Sequence, residues 1–181
     1  MLLPETKYAD ADRQTAFQRQ LVQHVADIPG IHSAATVDNL PFSGNESNVG
    51  LAIEGQPPLS ATQRPRAFLR NISENYFQVM TIPLRQGRTF VDSDNSTAPG
   101  VAIINETAAR RFWPNENPLG KRFKRGGADS KNPWWMVVGV VGPVSHTALE
   151  VASQPELYLP FQQNPESNLT LVTRTKSDPQ E

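Results

Sequence analysis

Two pairs of carboxylates are the first residues in this chain whose types and spacing could do chemistry. Asp92 with Asp94, and Glu106 with Glu116, have the make-up of a general acid and base. Two such groups roughly 5–9.5 Å apart across a cleft would hydrolyse a glycosidic bond. Asp92 and Asp94, however, lie in the aperiodic polar stretch Asp92-Ser93-Asp94-Asn95-Ser96-Thr97-Ala98-Pro99-Gly100, and Glu106 reads as the first-turn carboxylate of a helix. The same stretch lacks the glycine and the closing glutamate of a calcium loop. Ser145-His146 sits in no Gly-x-Ser-x-Gly elbow, and neighbours on a strand point to opposite faces. The other histidines, His24 and His32, have no partner by spacing, and the absence of cysteine excludes thiolate metal sites, disulfides and cysteine nucleophiles. The expectation is a chain that is not an enzyme, with no catalytic, cofactor or metal residues. A small hydrolase or carbohydrate-acting enzyme built on Asp92 or Asp94 is the alternative.

A second alternative is a nucleic-acid-binding module. Arg110, Arg111, Lys121, Arg122, Lys124 and Arg125 interleave with Phe112, Trp113 and Phe123, a pattern that can contact phosphates and stack on bases. The competing reading makes the cations a solvated helix end and strand face, and the aromatics core anchors. The overall charge favours the latter: 17 Lys and Arg against 18 Asp and Glu leave the chain at −1, far from the basic balance of such binders. Gly126-Gly127 and Gly120-Lys121 read as turns, since no hydroxyl residue follows Lys121 as a phosphate-binding loop requires. The Asn-x-Ser/Thr triplets at Asn45, Asn71, Asn95, Asn105 and Asn168 matter only in a glycosylating compartment, and Asn105 is better read as a helix cap.

The elements that must position these residues follow from periodicity and punctuation. In 181 residues, 38% of them hydrophobic, 16 prolines separate short apolar segments, which points to many brief elements joined by rigid turns. Phe17, Leu21 and Val25 fall on one stripe of a helix predicted over 13–26, with N-cap choices at 10–12 and a stop at Pro29-Gly30. Strands are predicted at 31–37, 49–53, 66–72, 101–104, 134–141, 156–159 and 169–175. Ser73 is expected to cap a brief helix over 74–80, and Asn105 one that ends before Pro114. The first helix should lie on a sheet holding 31–37 beside 169–175. Leu2-Leu3 reads as the stub of a strand, so the chain is expected to begin inside one element and to stop before another. The longest apolar run, about a dozen residues from Trp134, falls short of the ~20 that span a bilayer. Polar stretches after Asp92 and over 162–168 bracket an inserted piece. The expected class is therefore α+β with two lobes: residues 1–92 and 163–181 form one lobe, incomplete at both ends, and 93–162 form a smaller mixed α/β lobe inserted in it. The loop Leu40-Pro41-Phe42-Ser43-Gly44 places two large apolar residues around a proline at a strand end. Leu40, Pro41 and Phe42 are the candidate partner contact.

Several segments occur in a familiar order. Asn75-Tyr76-Phe77-Gln78-Val79-Met80-Thr81-Ile82-Pro83-Leu84-Arg85-Gln86-Gly87-Arg88-Thr89-Phe90 is followed by Val101-Ala102-Ile103-Ile104-Asn105-Glu106-Thr107-Ala108-Ala109-Arg110-Arg111-Phe112-Trp113-Pro114. Then come Pro118-Leu119-Gly120-Lys121-Arg122, Val137-Val138-Gly139-Val140-Val141-Gly142-Pro143-Val144 and Pro155-Glu156-Leu157-Tyr158-Leu159-Pro160. In order and spacing the chain resembles the MacB-like periplasmic core domain of ABC transporter permeases, most of all the group without a fused ATPase. The resemblance implies a domain on the periplasmic side of the cell inner membrane, between the first and second transmembrane helices of a permease. It also implies a porter-like lobe of βαβ units carrying a smaller inserted lobe, and a non-catalytic role in export. Its implied partners are the permease's own transmembrane helices, a cytoplasmic ATP-binding subunit reached through the membrane domain, and a periplasmic adaptor protein, with no nucleic acid. No catalytic residue is carried over. The chain departs from the pattern in lacking both transmembrane flanks and a helix after Thr175.

Overall fold

The computed structural model describes residues 1–4, 8–40, 47–142 and 154–175. Helix α1 (Ala11–Ala26) starts where Asp10 accepts the Arg13 N–H on its side chain at 2.8 Å, satisfying one of the donors a helix start leaves open. Strands β1 (Ile31–Val37), β2 (Asn48–Ile53) and β3 (Arg66–Ile72) follow, then the single turn α2 (Tyr76–Val79), β4 (Leu84–Gly87), β5 (Val101–Asn105), α3 (Glu106–Phe112), β6 (Arg122–Arg125), β7 (Trp135–Val141), β8 (Glu156–Pro160) and β9 (Thr170–Thr175). The architecture is mixed α/β and dominated by one nine-stranded sheet.

The sheet closes on itself. Its order runs β2-β6-β7-β5-β8-β3, and β2 also pairs with β3, so these strands form a ring. β1 and β9 extend the sheet outward from the far end of β3, where Val37 meets Ile72. Every strand of the ring contributes to one apolar cluster: Leu51 and Ile53, Ala67 and Leu69, Ala102 and Ile104, Phe123, Trp135 with Val137 and Val140, Leu157 and Leu159. That cluster is the ring's interior, and α3 adds Ala108 and Phe112 to it. A register shift opposite Ala102/Ile103 lets Val137 and Val140 face inward from the same strand. The alternate residues of the same strands, Val101, Ile103, Tyr158 and Ile72, form a second cluster outside the ring, with Ala35 and Val37 of β1 and Tyr76, Phe77 and Val79 of α2. Each fully buried Leu or Ile here contributes about 1.5–3 kcal/mol.

The pairing of β1 with β9 is antiparallel, from Ile31 opposite Thr175 to Val37 opposite Thr170, as expected. The stub at Leu2 makes a lone bridge to Asn168. Two local expectations are corrected. Ser73 does not cap a helix with its side chain, because its hydroxyl accepts the Thr36 N–H at 2.9 Å; α2 therefore begins only at Tyr76, after Asn75, with no side-chain cap. The α1 stripe is only half-buried at Phe17, Leu21 and Val25, and the residue that α1 buries is Gln18. Its amide donates to Thr36 Oγ1 at 2.7 Å, so this helix meets the sheet through a polar contact as well as an apolar one.

Candidate functional site

The strand alternation of β3 puts Arg70 on the outer side of the ring, and its parallel register with β8 sets it opposite Tyr158. Arg70 Nε and Nη2 both donate to Glu156 Oε1, at 3.1 and 2.9 Å, and Tyr158 donates its hydroxyl to Glu156 Oε2 at 2.6 Å. Arg70 is 2% exposed and Glu156 7%, so this ion pair lies out of water. Arg70 Nη1 reaches the Asn39 carbonyl at 2.7 Å. The neighbouring Asp38 accepts from the Asn39 N–H at 2.6 Å and from Asn71 Nδ2 at 2.7 Å, while Asn168 Nδ2 donates to its carbonyl at 2.9 Å. On the neighbouring strand β5, Asn105 caps α3 by accepting the Ala108 N–H, and it also binds Glu156 N and the Gln154 carbonyl. One buried polar network thus grips the chain at 38–39 and at 154–156.

The network's titratable groups are set for holding rather than for proton transfer. Burial pushes the Asp38 carboxyl up against the lowering effect of its Asn71 and Asn39 hydrogen bonds and of Arg70. Burial raises Tyr76 to about 12, with Glu156 and Asp38 adding to it, and takes Tyr158 well above the usual phenol range. Both phenols stay protonated, and the Tyr76 hydroxyl is buried with no hydrogen-bond partner among the described residues.

Of the sequence candidate Leu40-Pro41-Phe42, only Leu40 is described, directly after the Asn39 carbonyl that Arg70 binds. Leu40 is half-buried and packs against the outer cluster; Pro41 and Phe42 lie outside the described residues, as do Ser145, His146 and Asn45. The carboxylate pairs are not brought together across a cleft. Asp94 takes both Arg88 Nη atoms at 2.7 and 2.9 Å and the Val91 N–H at 3.0 Å. Glu106 faces Arg85 at 3.9 Å, and Glu116 faces Lys121 at 2.6 Å. Among the described residues no three His, Cys, Asp or Glu gather as metal ligands. Within the basic cluster, Arg122 and Lys124 both lie over the Trp134 ring, Arg122 at 5.7 Å. Phe112, Trp113 and Phe123 belong to the ring interior, Arg122 pairs with Glu54, and Lys124 sits 4.9 Å over the Trp134 ring while donating to the Ser130 carbonyl. Gly120 and Gly126 adopt positive φ, as turns do.

Sequence reasoning missed a groove of about 430 Å³ beside α1. Its rim is a relay from α1 through the turn after β8 to the turn before α2: Arg19 Nη2 donates to Gln162 Oε1 at 2.6 Å, and Gln162 Nε2 donates to Glu74 Oε1. Asp92 and the apolar Val22, Ile72 and Phe161 also line the groove. The signal available was weak: Gln18, Arg19 and Gln162 look like ordinary surface residues. Arg70 was the better clue, since it is a charge between Phe68 and Ile72 on one face of a predicted strand.

The fold and site describe a sheet-dominated α/β domain whose buried charges anchor its own chain. The model of the MacB-like periplasmic core domain matches residues 4–181, and the chain belongs to that family of ABC transporter permease domains. It is 33% identical over 97 residues to the macrolide export ATP-binding/permease protein MacB of Aggregatibacter actinomycetemcomitans, covering 54% of this chain and 14% of that protein. It is 28% identical over 95 residues to the uncharacterized ABC transporter permease YknZ of Bacillus subtilis (strain 168), covering 52% of this chain and 22% of that one. The chain thus spans under a quarter of these relatives' length. In fold it resembles the periplasmic region of MacB from Actinobacillus actinomycetemcomitans, with a TM-score of 0.61 at 21% identity over 89% of this chain and 66% of that one. It also resembles the extracellular domain of the transporter YknZ from Gram-positive bacteria, with a TM-score of 0.62 at 17% identity over 99% and 83%. No helix among the described residues is long and apolar enough to cross a membrane.

Proposed function

We propose that this domain works as a non-catalytic relay on the periplasmic face of the cell inner membrane, within a permease of the group without a fused ATPase. In this reading it passes conformational change between the permease's transmembrane helices and a periplasmic adaptor protein, with ATP hydrolysed by a separate cytoplasmic subunit. The family match over 4–181 carries the proposal. The likeness to YknZ, named as a permease alone, fits the unfused group, whereas the MacB relative is named as an ATP-binding/permease protein. The committed state of the buried charges supports a mechanical role, since Arg70, Glu156 and Asp38 are spent on holding chain segments. The division into a porter-like lobe (1–92 and 163–181) and an inserted lobe (93–162) belongs to the same proposal. What supports it is the return of β9 to β1 at the two ends of the chain; the ring itself draws β2 and β3 from the first stretch and β5 to β8 from the second.

The contact proposed is Leu40-Pro41-Phe42. Arg70 and Asn168 fix residues 38–39, immediately before this segment. Phe42→Ala in the full permease tests it, with adaptor capture, transport and thermal unfolding read together. A buried aromatic anchor is worth about 2 kcal/mol or more at an interface, so capture should weaken at least about thirtyfold with the melting temperature unchanged. Unchanged capture and transport with a lowered melting temperature would assign Phe42 to the core and end the contact proposal.

A further inference from the structure

We infer that the outer face of β6 and β7 docks an extended acidic segment of a partner protein, with Trp134 as its anchor. Strand alternation sends Phe123 and Trp135 into the ring, so Arg122, Lys124 and Met136 stand on the outside. Trp134, just before β7, stands with them: Arg122 lies 5.7 Å and Lys124 Nζ 4.9 Å from the centre of its ring. Two cations on one indole hold it in place by their attraction to the ring. Trp134 is half-buried and Met136 is 36% exposed, whereas Trp113 and Trp135 are buried. Among the described residues none of β2 or β6 joins the apolar cluster outside the ring. This side of the sheet therefore has no apolar cover.

The charge on this side is one-signed. Lys124 donates to the Ser130 carbonyl, and Arg66, on the outer side of β3, donates to Asn48. Among the described residues no carboxylate pairs with either, or with the exposed Lys131. Arg122 does hold one: its Nε and Nη2 donate to the two oxygens of Glu54. That pair is exposed on both sides, so it contributes little and exchanges readily. It also shows the fork geometry an incoming carboxylate would take. Arg122 and Lys124 are two residues apart, about 6.8 Å along the strand, and alternate acidic residues of an extended chain repeat at the same interval. A membrane-binding surface presents a broad apolar face; one indole and one methionine beside a buried lysine fit a peptide instead. The inference rests on the relay reading for the existence of a partner and adds that partner's chemistry.

The test sets this chain against a capped peptide, Glu-Thr-Glu-Leu-Glu, its Gln-Thr-Gln-Leu-Gln counterpart, and phosphatidylglycerol vesicles. Acrylamide quenching of fluorescence reads the result, because Trp134 is the accessible tryptophan. The acidic peptide should protect Trp134, with an affinity that falls as salt rises, and the glutamine peptide should not. Arg122→Gln should weaken binding several-fold. Glu54→Gln, which frees Arg122, should strengthen it several-fold, an effect that loss of structure cannot imitate. Glu116→Gln removes the same charge beside Lys121 and should strengthen it less. The inference is overturned if the acidic peptide leaves quenching unchanged or if Glu54→Gln strengthens binding no more than Glu116→Gln. Protection by the vesicles and not by the peptide would make a bilayer the occupant and overturn it as well. Each of these failures leaves the relay reading standing, since that is read by adaptor capture in the full permease.

Discussion

Arg70→Met removes the cation from the buried pair with Glu156 while keeping most of the side chain's length. Breaking a buried pair by deleting one partner costs about 3–5 kcal/mol, because the other charge stays behind uncompensated. Among the described residues Glu156, 7% exposed, keeps Tyr158 as its side-chain donor, to Oε2, and the Asn39 carbonyl loses a charge-assisted bond as well. A total of about 4 kcal/mol is a large share of the 5–15 kcal/mol that holds a domain folded. In urea, with a slope of about 2 kcal/mol per molar, the midpoint should fall by about 2 M. Far-ultraviolet circular dichroism and the fluorescence of Trp113, Trp134 and Trp135 should report the same transition. The triple variant Arg70→Met, Glu156→Leu and Tyr158→Phe removes both charges and the hydroxyl that Glu156 would leave orphaned. It should recover most of the loss, leaving the Asn39 carbonyl as the main deficit, about 1–3 kcal/mol. The reasoning fails if Arg70→Met lies within about 1 kcal/mol of the parent, or if the triple variant is no more stable than the single one.

Three further outcomes are expected. Leu157→Ala opens a cavity at a fully buried position of the ring interior and should cost about 3–5 kcal/mol in the same urea assay. Gly87→Ala should cost about 2 kcal/mol or more, since Gly87 has φ +72° and a Cβ there would lie 2.2 Å from the Val138 carbonyl; a neutral result would mean that β4 does not sit tightly on β7. For Asp94, burial pushes the carboxyl up, but the Arg88 guanidinium and the Val91 N–H outweigh it and hold it below its usual 3.8. Its stabilising effect is therefore present above that value and lost as pH falls through the lowered one, and Asp94→Asn should cost about 1 kcal/mol near neutrality and flatten the acid limb of a melting-temperature profile.

Where local rules act alone, the chain was legible. The alternation of Ala67, Leu69 and Asn71 against Phe68, Arg70 and Ile72 marked β3 to the residue, and Asn105 before Glu106 announced the start of α3. The Ser73 cap failed because its hydroxyl is bound to β1, a partner that no local pattern names. The ring was illegible for the same reason: it depends on Leu51 meeting Arg125 and Phe68 meeting Glu156, registers fixed by burial on both sides of distant strands. The groove relay could not be read either, since Arg19, Glu74 and Gln162 carry no periodic signal and meet only once α1 lies on the sheet. The aromatics of the basic cluster were ambiguous from spacing, and burial of Phe112, Trp113 and Phe123 decides them as core.

The closed ring also dictates when this domain can fold. A chain delivered from its N-terminus presents Leu51, Ile53 and Leu69 long before Phe123, Trp135 and Leu157 exist to cover them. Neither neighbour of β8 in the ring, β3 on one side and β5 on the other, is complete until Pro160 has emerged, and β1 waits longer still, for Thr175. Loop-closure entropy must be met before such distant pairings return anything, so contact order is high and folding slow. Until then β3 and β5 are open, apolar edges, the kind that pair with other chains. Fragments that stop short of Pro160 should therefore aggregate rather than fold in part, and a cell making this domain must keep it apart from its own copies until nearly all of its length is through.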